Sequence, residues 1–208
     1  MPAARVRLLL LALLVPTLAA CGGKSLTQVR GEVRGWTYGA GSAEFLSDDL
    51  QTLTSADLDT VGRFTLKLPD DATMQPLLQD SLVPDLPAGC SSTVKSSGNA
   101  KFYSLGDITA YPAGGARNAY TLVSEDRGGS DPVRVTKRLF VYASDAAQVN
   151  GTLSCTVRGQ QANATYGLDL RRGWNRVASN QTVYASGASS TTVSTTGEDG
   201  FDRWTATP

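Results

Sequence analysis

The chain of 208 residues contains no histidine. That absence removes Ser-His-Asp and Cys-His nucleophile activation, and with them the commonest general base. Cysteine is scarce as well: Cys21, Cys90 and Cys155 are all there is. Without histidine, the two cysteines Cys90 and Cys155 cannot build an ordinary zinc site. Charged residues make up 18% of the chain, 19 basic against 19 acidic. They are scattered rather than clustered, so a nucleic-acid partner is not indicated. No motif asks for a cofactor. Long apolar runs are confined to the N-terminus, where Leu8 to Val15 is unbroken until Pro16. From Leu8 to Ala20 there are thirteen residues, against about 20 for a membrane-spanning helix. A retained transmembrane anchor is not expected.

What is present at that end reads two ways. Gly22-Gly23-Lys24-Ser25 matches the tail of a phosphate-binding loop, but Leu18 stands where the first glycine of G-x-x-x-x-G-K-[ST] belongs. No strand pattern precedes it, so backbone N–H groups would not converge on a phosphate. Targeting fits better. Arg5 and Arg7 supply a positive start, the apolar run follows, and small residues come after Pro16. Leu18-Ala19-Ala20-Cys21 resembles the lipobox of bacterial lipoproteins. That resemblance implies a diacylglyceryl group on the Cys21 thiol and cleavage just before it, leaving Cys21 as an acylated N-terminus. The partner implied is a membrane, held through two or three acyl chains at about 0.8 kcal/mol per buried methylene. Gly22, where inner-membrane lipoproteins tend to carry Asp, implies the outer membrane if the cell has two membranes. Otherwise it implies the outer face of the cytoplasmic membrane. The organisation expected is a signal peptide over 1–20, a flexible lipidated tether over 21–28, and a globular region over 29–208 with a possible sub-boundary near 70–89.

Lipidation of Cys21 would leave an even pair of cysteines in an oxidising compartment. In "VNGTLSCTV" the side chains of Val149, Leu153, Cys155 and Val157 share one face of an alternating strand. That places Cys155 inward and suits a buried Cys90–Cys155 disulfide, with two buried free thiols as the alternative. Such a bond would stabilise by about 4 kcal/mol in the chain-entropy description.

The rest of the chain is rich in Thr, Ser, Gly and Val, which favours exported β structure. "QVRGEVRGW" puts Val29, Gly31, Val33 and Gly35 on one parity. "GRFTLKLP" sets Phe64, Leu66 and Leu68 against Arg63, Thr65 and Lys67. In "VRVTKRLFVYA" the apolar parity changes, which predicts a bulge near Lys137-Arg138. A short turn then leads into "GTLSCTVRG", predicting a hairpin between the two. "TYGLDL", "QTVYASG", "STTVSTT" and "FDRWTAT" read as further strands. Over 73–83 the spacing of Met74, Leu77, Leu78 and Leu82 predicts one short helix, with Pro76 in its first turn. The fold class is therefore all-β, an antiparallel β-sandwich or partly open barrel with one short helix. Gly31, Val33, Asp59, Gly62, Phe64 and Leu66 also make 31–69 similar to transthyretin-like or carboxypeptidase-regulatory-like β-sandwich modules. That similarity adds to the sandwich expectation and implies no activity.

Motifs with chemistry are few. Ser92-Thr93-Val94-Lys95 matches S-x-x-K, but neither S-D-N nor K-T-G accompanies it. The acids Asp48-Asp49, Asp57, Asp59, Asp70-Asp71 and Glu198-Asp199 mostly sit beside Gly, Ser or Pro, where Asp initiates turns. Asp57 and Asp59 offer oxygens but lack the 12-residue calcium-loop pattern. Asn150, Asn163 and Asn180 head N-x-T sequons, which three chance matches in a Thr-rich chain would supply. Trp36, Trp174 and Trp204 could line a sugar-binding face or pack in the core with their indole N–H groups bonded. Residues 185–200 are of low complexity, a polar strand pair or a loop. The expectation is an acylated envelope protein with a structural or binding role through its β-sandwich, and no catalysis. The alternatives are a lipid-anchored hydrolase working with carboxylates, and an adaptor that docks another envelope protein. A glycan partner also remains open.

Overall fold

Strands form first where polar and apolar residues alternate most cleanly. The computed structural model describes residues 25–83, 86–113, 119–197 and 202–208; Cys21, Glu198 and Asp199 lie outside the described residues. β1 (Gln28–Val33) buries Val29, Gly31 and Val33 and turns its other residues toward solvent. β2 (Gly41–Leu46) and β3 (Thr52–Leu58) follow, and β4 (Arg63–Lys67) buries Phe64 and Leu66 as expected. The turn between β3 and β4 is made by Asp59, whose carboxylate accepts from the N–H of Val61 at 2.9 Å and of Arg63 at 2.8 Å. Gly62 beside it has φ +83°, a conformation that costs other residues a steric clash.

The helix is shorter than its leucine spacing predicts. α1 (Asp71–Met74) is capped by Asp70, whose carboxylate accepts from Thr73 N. With the cap there, Pro76 falls beyond the first turn and has no N–H for an i→i−4 bond. The backbone tightens into a 3₁₀ turn over Gln75–Leu77 and is extended at Leu78. The expected helix over 73–83 is thus confined to 71–77. Leu77, Leu78 and Leu82 still pack against the cores, Leu77 from the 3₁₀ turn and the other two from beyond it.

The later strands are β5 (Cys90–Ser92), β6 (Lys95–Ser96), β7 (Phe102–Leu105), β8 (Ile108–Pro112), β9 (Tyr120–Val123), β10 (Glu125–Gly128), β11 (Val133–Ala143), β12 (Ala147–Val157), β13 (Gln160–Leu170), β14 (Gly173–Val183), β15 (Ser189–Thr195) and β16 (Asp202–Thr207). Seven strands close a barrel in the order β1-β16-β9-β8-β2-β3-β4. Its interior is filled by side chains, as small barrels require. The other strands form a sheet ordered β10-β11-β14-β15-β13-β12-β5, with β7 on the β11 edge and β6 on the β12 edge. Most pairings are antiparallel; β1–β16 and β13–β15 are parallel. The architecture is all-β, a closed barrel against a curled sheet. Among the described residues no helix is long and apolar enough to cross a membrane.

Two sequence expectations fail here for one reason. β11 and β12 are joined by a short turn yet do not form a hairpin: β11 pairs with β14 and β12 with β13, each over its whole length. Val141 and Ala143 instead meet Ala147 and Val149 in a core cluster with Leu168, Leu170, Val177 and Val193. The sheet therefore curls until strands near its two edges face one another across side chains. The 97–101 segment spans the remaining gap, with Ser97 N donating to Gln148 O and Ser144 N to Lys101 O. The expected bulge near Lys137-Arg138 is absent too, since the β11–β14 register runs unbroken from Val133↔Val183 to Ala143↔Gly173. The parity change marks a change in burial. From Phe140 onward β11 is covered on both faces, Phe140 and Tyr142 by the barrel core and Val141 and Ala143 by the sheet's own core.

Aromatic rings bridge the two bodies. Trp204 is fully buried and lies between Phe64, 5.8 Å away by ring centroids, and Phe140, stacked at 6.3 Å. Trp174 packs edge-on to Phe45 of β2 at 5.6 Å and to Tyr142 at 5.5 Å. The Trp204 indole rests over the bare Cα of Gly31, where a Cβ would collide with the ring and with the Asp202 carbonyl. Gly31→Ala is predicted to lower unfolding stability in urea by about 1–3 kcal/mol through overpacking. Gly167→Ala, in β13 with open space around it, should be neutral or slightly stabilising; equal effects of the two changes would refute this packing.

Candidate functional site

The disulfide expected from cysteine counting is formed. Cys90 and Cys155 are bonded, with Cα atoms 4.0 Å apart, directly opposite one another on β5 and β12. Both residues are half-buried rather than buried, because Cys155 lies toward the end of β12 where the curl opens. Ser92 and Lys95 sit on different short strands, and Ser92 Oγ accepts from Val94 N at 3.1 Å. A strand turns residues three apart to opposite faces. No nucleophile–base pair results.

Several carboxylates are committed to local partners. Asp59 holds its turn and Asp70 its helix. Asp71 accepts from the Tyr142 hydroxyl at 2.6 Å and from Arg172 at 2.8 Å, beside a groove of about 390 Å³ lined also by Leu26, Leu68, Pro69 and Trp174. Those two hydrogen bonds hold the Asp71 carboxyl below the usual carboxylate range. Burial first, and then Asp71, push the Tyr142 phenol up to about 12. Asp126 is held low in the same way by hydrogen bonds from Arg138 and Arg34. Asp202 and Arg176 pair in a buried position between barrel and sheet, with Arg138 Nε 3.7 Å from Asp202. A general acid at neutral pH needs a raised carboxyl, and these shifts run the other way. Among the described residues no group of three or more Cys, Asp or Glu side chains could hold a metal ion.

None of the three tryptophans is exposed, although Trp174 contributes to the wall of the groove beside Asp71. Trp36, Trp174 and Trp204 are all buried. Trp36 Nε1 donates to Gly39 O at 2.6 Å and Trp174 Nε1 to Pro69 O at 2.8 Å. Packing accounts for them.

The surface that does stand out is the convex face of the curled sheet, where the barrel leaves it uncovered. Side chains there form rows across strands. One row runs Thr93, Thr152, Thr165, Thr192, Asn180 and Thr136, each directly beside the next. The adjacent row runs Ser91, Ser154, Asn163, Ser190 and Thr182, and ends at Arg134. Strand neighbours lie about 4.8 Å apart, so each row is a ladder of hydroxyl and amide groups. Arg134 closes the second row, and Asp126 of β10 stands beside Thr136 at the end of the first. Most of these side chains are exposed. Among the described residues, the side chains of Thr165, Thr192, Asn163 and Ser190 make no hydrogen bond within the protein.

The three sequons find their explanation here. An N-x-T triplet on a strand sends Asn and Thr to the same face, and Asn150/Thr152, Asn163/Thr165 and Asn180/Thr182 all belong to this surface. They are the trace of its polar alternation. Sequence reading noted each triplet but could not join them, because β15 lies between β13 and β14 and completes the rows. Comparison of the chain with protein-family models, with curated proteins and with solved structures finds no match.

The lowered carboxyls fix a pH dependence. A carboxyl depressed in the fold adds stability above its unfolded value of about 3.9 and loses it as pH falls through the folded value. Stability in urea should thus be nearly flat from pH 7 to pH 5 and decline below about pH 4 as Asp70, Asp71 and Asp126 take up protons. Asp126→Asn should be less stable than the parent at pH 7, with the difference shrinking toward pH 3. An offset that stays constant with pH would contradict the assignment.

Proposed function

We propose that this chain is a lipid-anchored protein of the cell envelope, acylated at Cys21, whose barrel and sheet serve a structural or binding role and not a catalytic one. The observation that carries the reading is the Cys90–Cys155 bond. It uses both cysteines of the folded body and leaves over the one that closes the lipobox-like Leu18-Ala19-Ala20-Cys21. A disulfide is also what an oxidising compartment permits. The outer membrane is the address where the cell has two membranes, and the outer face of the cytoplasmic membrane where it has one.

The body's geometry suits such an anchor. The chain joins the fold at Leu26, whose N–H donates to Trp174 O at 3.1 Å. The four Cα–Cα steps from Cys21 to Ser25 reach about 14 Å at full extension, so the end of the sheet near Gly173 would face the lipid. From there β14 runs eleven residues to Val183, about 36 Å of strand. The hydroxyl-bearing rows would then stand away from the membrane, facing the envelope. Support for a non-catalytic role comes from Asp59, Asp70, Asp71, Asp126 and Asp202, each of which already has a structural partner.

Mass analysis of the protein isolated from its own membranes tests this. The expected species begins at Cys21, carries two or three acyl chains, and gains two hydrogens on reduction. A chain that keeps residues 1–20, or begins at Cys21 with a bare thiol, would overturn the proposal.

A further inference from the structure

We infer that the convex face of the nine-stranded sheet binds a neutral, polyhydroxylated polymer: a glycan strand laid along the hydroxyl and amide rows. The inference rests on the envelope reading for where such a polymer would be met, but its physical basis is the composition of the face. Ordinary protein surfaces carry about a quarter to a third of charged residues. Here the two rows carry no charged side chain from β5 to β14, and charge enters only at the β10–β11 edge, where Arg134 ends one row and Asp126 stands beside Thr136 at the end of the other.

That chemistry excludes other occupants in turn. A nucleic acid requires Lys and Arg against its phosphates. A lipid surface requires apolar or basic residues. A protein partner is usually anchored by buried aromatic or Arg side chains in a patch with an apolar centre, and the two rows contain no aromatic and no large aliphatic side chain. A neutral glycan needs none of these. It presents hydroxyl donors and acceptors at regular intervals along an extended chain. The face answers with Thr, Ser and Asn groups at strand spacing, several of them free of bonds to the protein. Each hydrogen bond is weak alone, so a single sugar would be held poorly. A polymer that meets many rungs at once gains by effective concentration.

The groups are preorganised. Thr and Asn on a paired strand have few rotamers to lose, and β-branched Thr is stiff at χ1. Thr93 and Thr152 are already linked through their hydroxyls at 3.1 Å, and Thr136 donates to Asn180 at 2.8 Å. The ends of the first row are therefore fixed while its middle, Thr165 and Thr192, stays open to a ligand.

The test is co-sedimentation of the full chain, purified in detergent, with insoluble cellulose and with insoluble chitin. The expected result is retention on at least one of them. Thr165→Val with Thr192→Val removes two hydroxyls at constant shape and should weaken retention about tenfold or more. Thr192→Ser keeps its hydroxyl and should bind as the parent does. Thr65→Val, on the barrel, should change nothing. Circular dichroism and the urea midpoint establish that each variant is folded. Folded parent protein that sediments with neither polymer overturns the inference, as does a double Val variant that binds as well as the parent. Acylation at Cys21 is read separately by mass, so a failed glycan test leaves the anchor standing, and a failed anchor leaves the binding result intact.

Discussion

Everything in this molecule leans on the wall made by β11 and β14. Over Phe140–Ala143 and Gly173–Ala178 both faces of these strands are buried. One face closes the barrel side through Phe140, Tyr142 and Trp174, and the other closes the curl through Val141, Ala143 and Val177. A single pair of strands thus serves two cores. Removing it would expose apolar surface on both sides at about 25 cal/mol per Å². Across this wall runs the buried Arg176–Asp202 pair, with the Arg176 guanidinium 6.0 Å from the Phe140 ring. Buried ion pairs stabilise little on balance, yet leaving one partner alone costs about 3–5 kcal/mol. The pair therefore ties β16 to β14 across the wall.

The chain's path explains why the wall matters. Barrel strands are drawn from 28–67, from 108–123 and from 202–207, with sheet strands between them. Neither body is a continuous piece of sequence, so neither can close before the other's strands have been delivered. Long strands paired far along the sequence make for slow folding. The disulfide between positions 65 residues apart shortens the most distant of these closures in the unfolded chain.

How much of this could be read in advance depended on how many faces of a strand are buried. β4, with one face in the barrel and one in water, was legible to the residue. β11 was not, because a strand covered on both sides loses its alternation, and the loss looks like a bulge. Strand order was hidden for another reason. The rule that sequence neighbours pair is only a tendency, and the curl set β11 and β12 face to face instead. The leucines of 77–82 kept their core role, although the helix ends at Leu77, just after Pro76. The disulfide was legible by counting. The polar face was half legible: three N-x-T triplets recorded its alternation, but only the insertion of β15 between β13 and β14 turned them into continuous rows.

Sharing that wall makes barrel and sheet one cooperative body. Native-state hydrogen exchange in rising urea, followed at amides of β4 and β8 for the barrel and of β13 and β15 for the sheet, tests it most directly. Shared coverage predicts that the most protected amides of both bodies converge on one opening free energy and one urea dependence. Two separate isotherms, with the sheet opening while the barrel stays protected or the reverse, would contradict it.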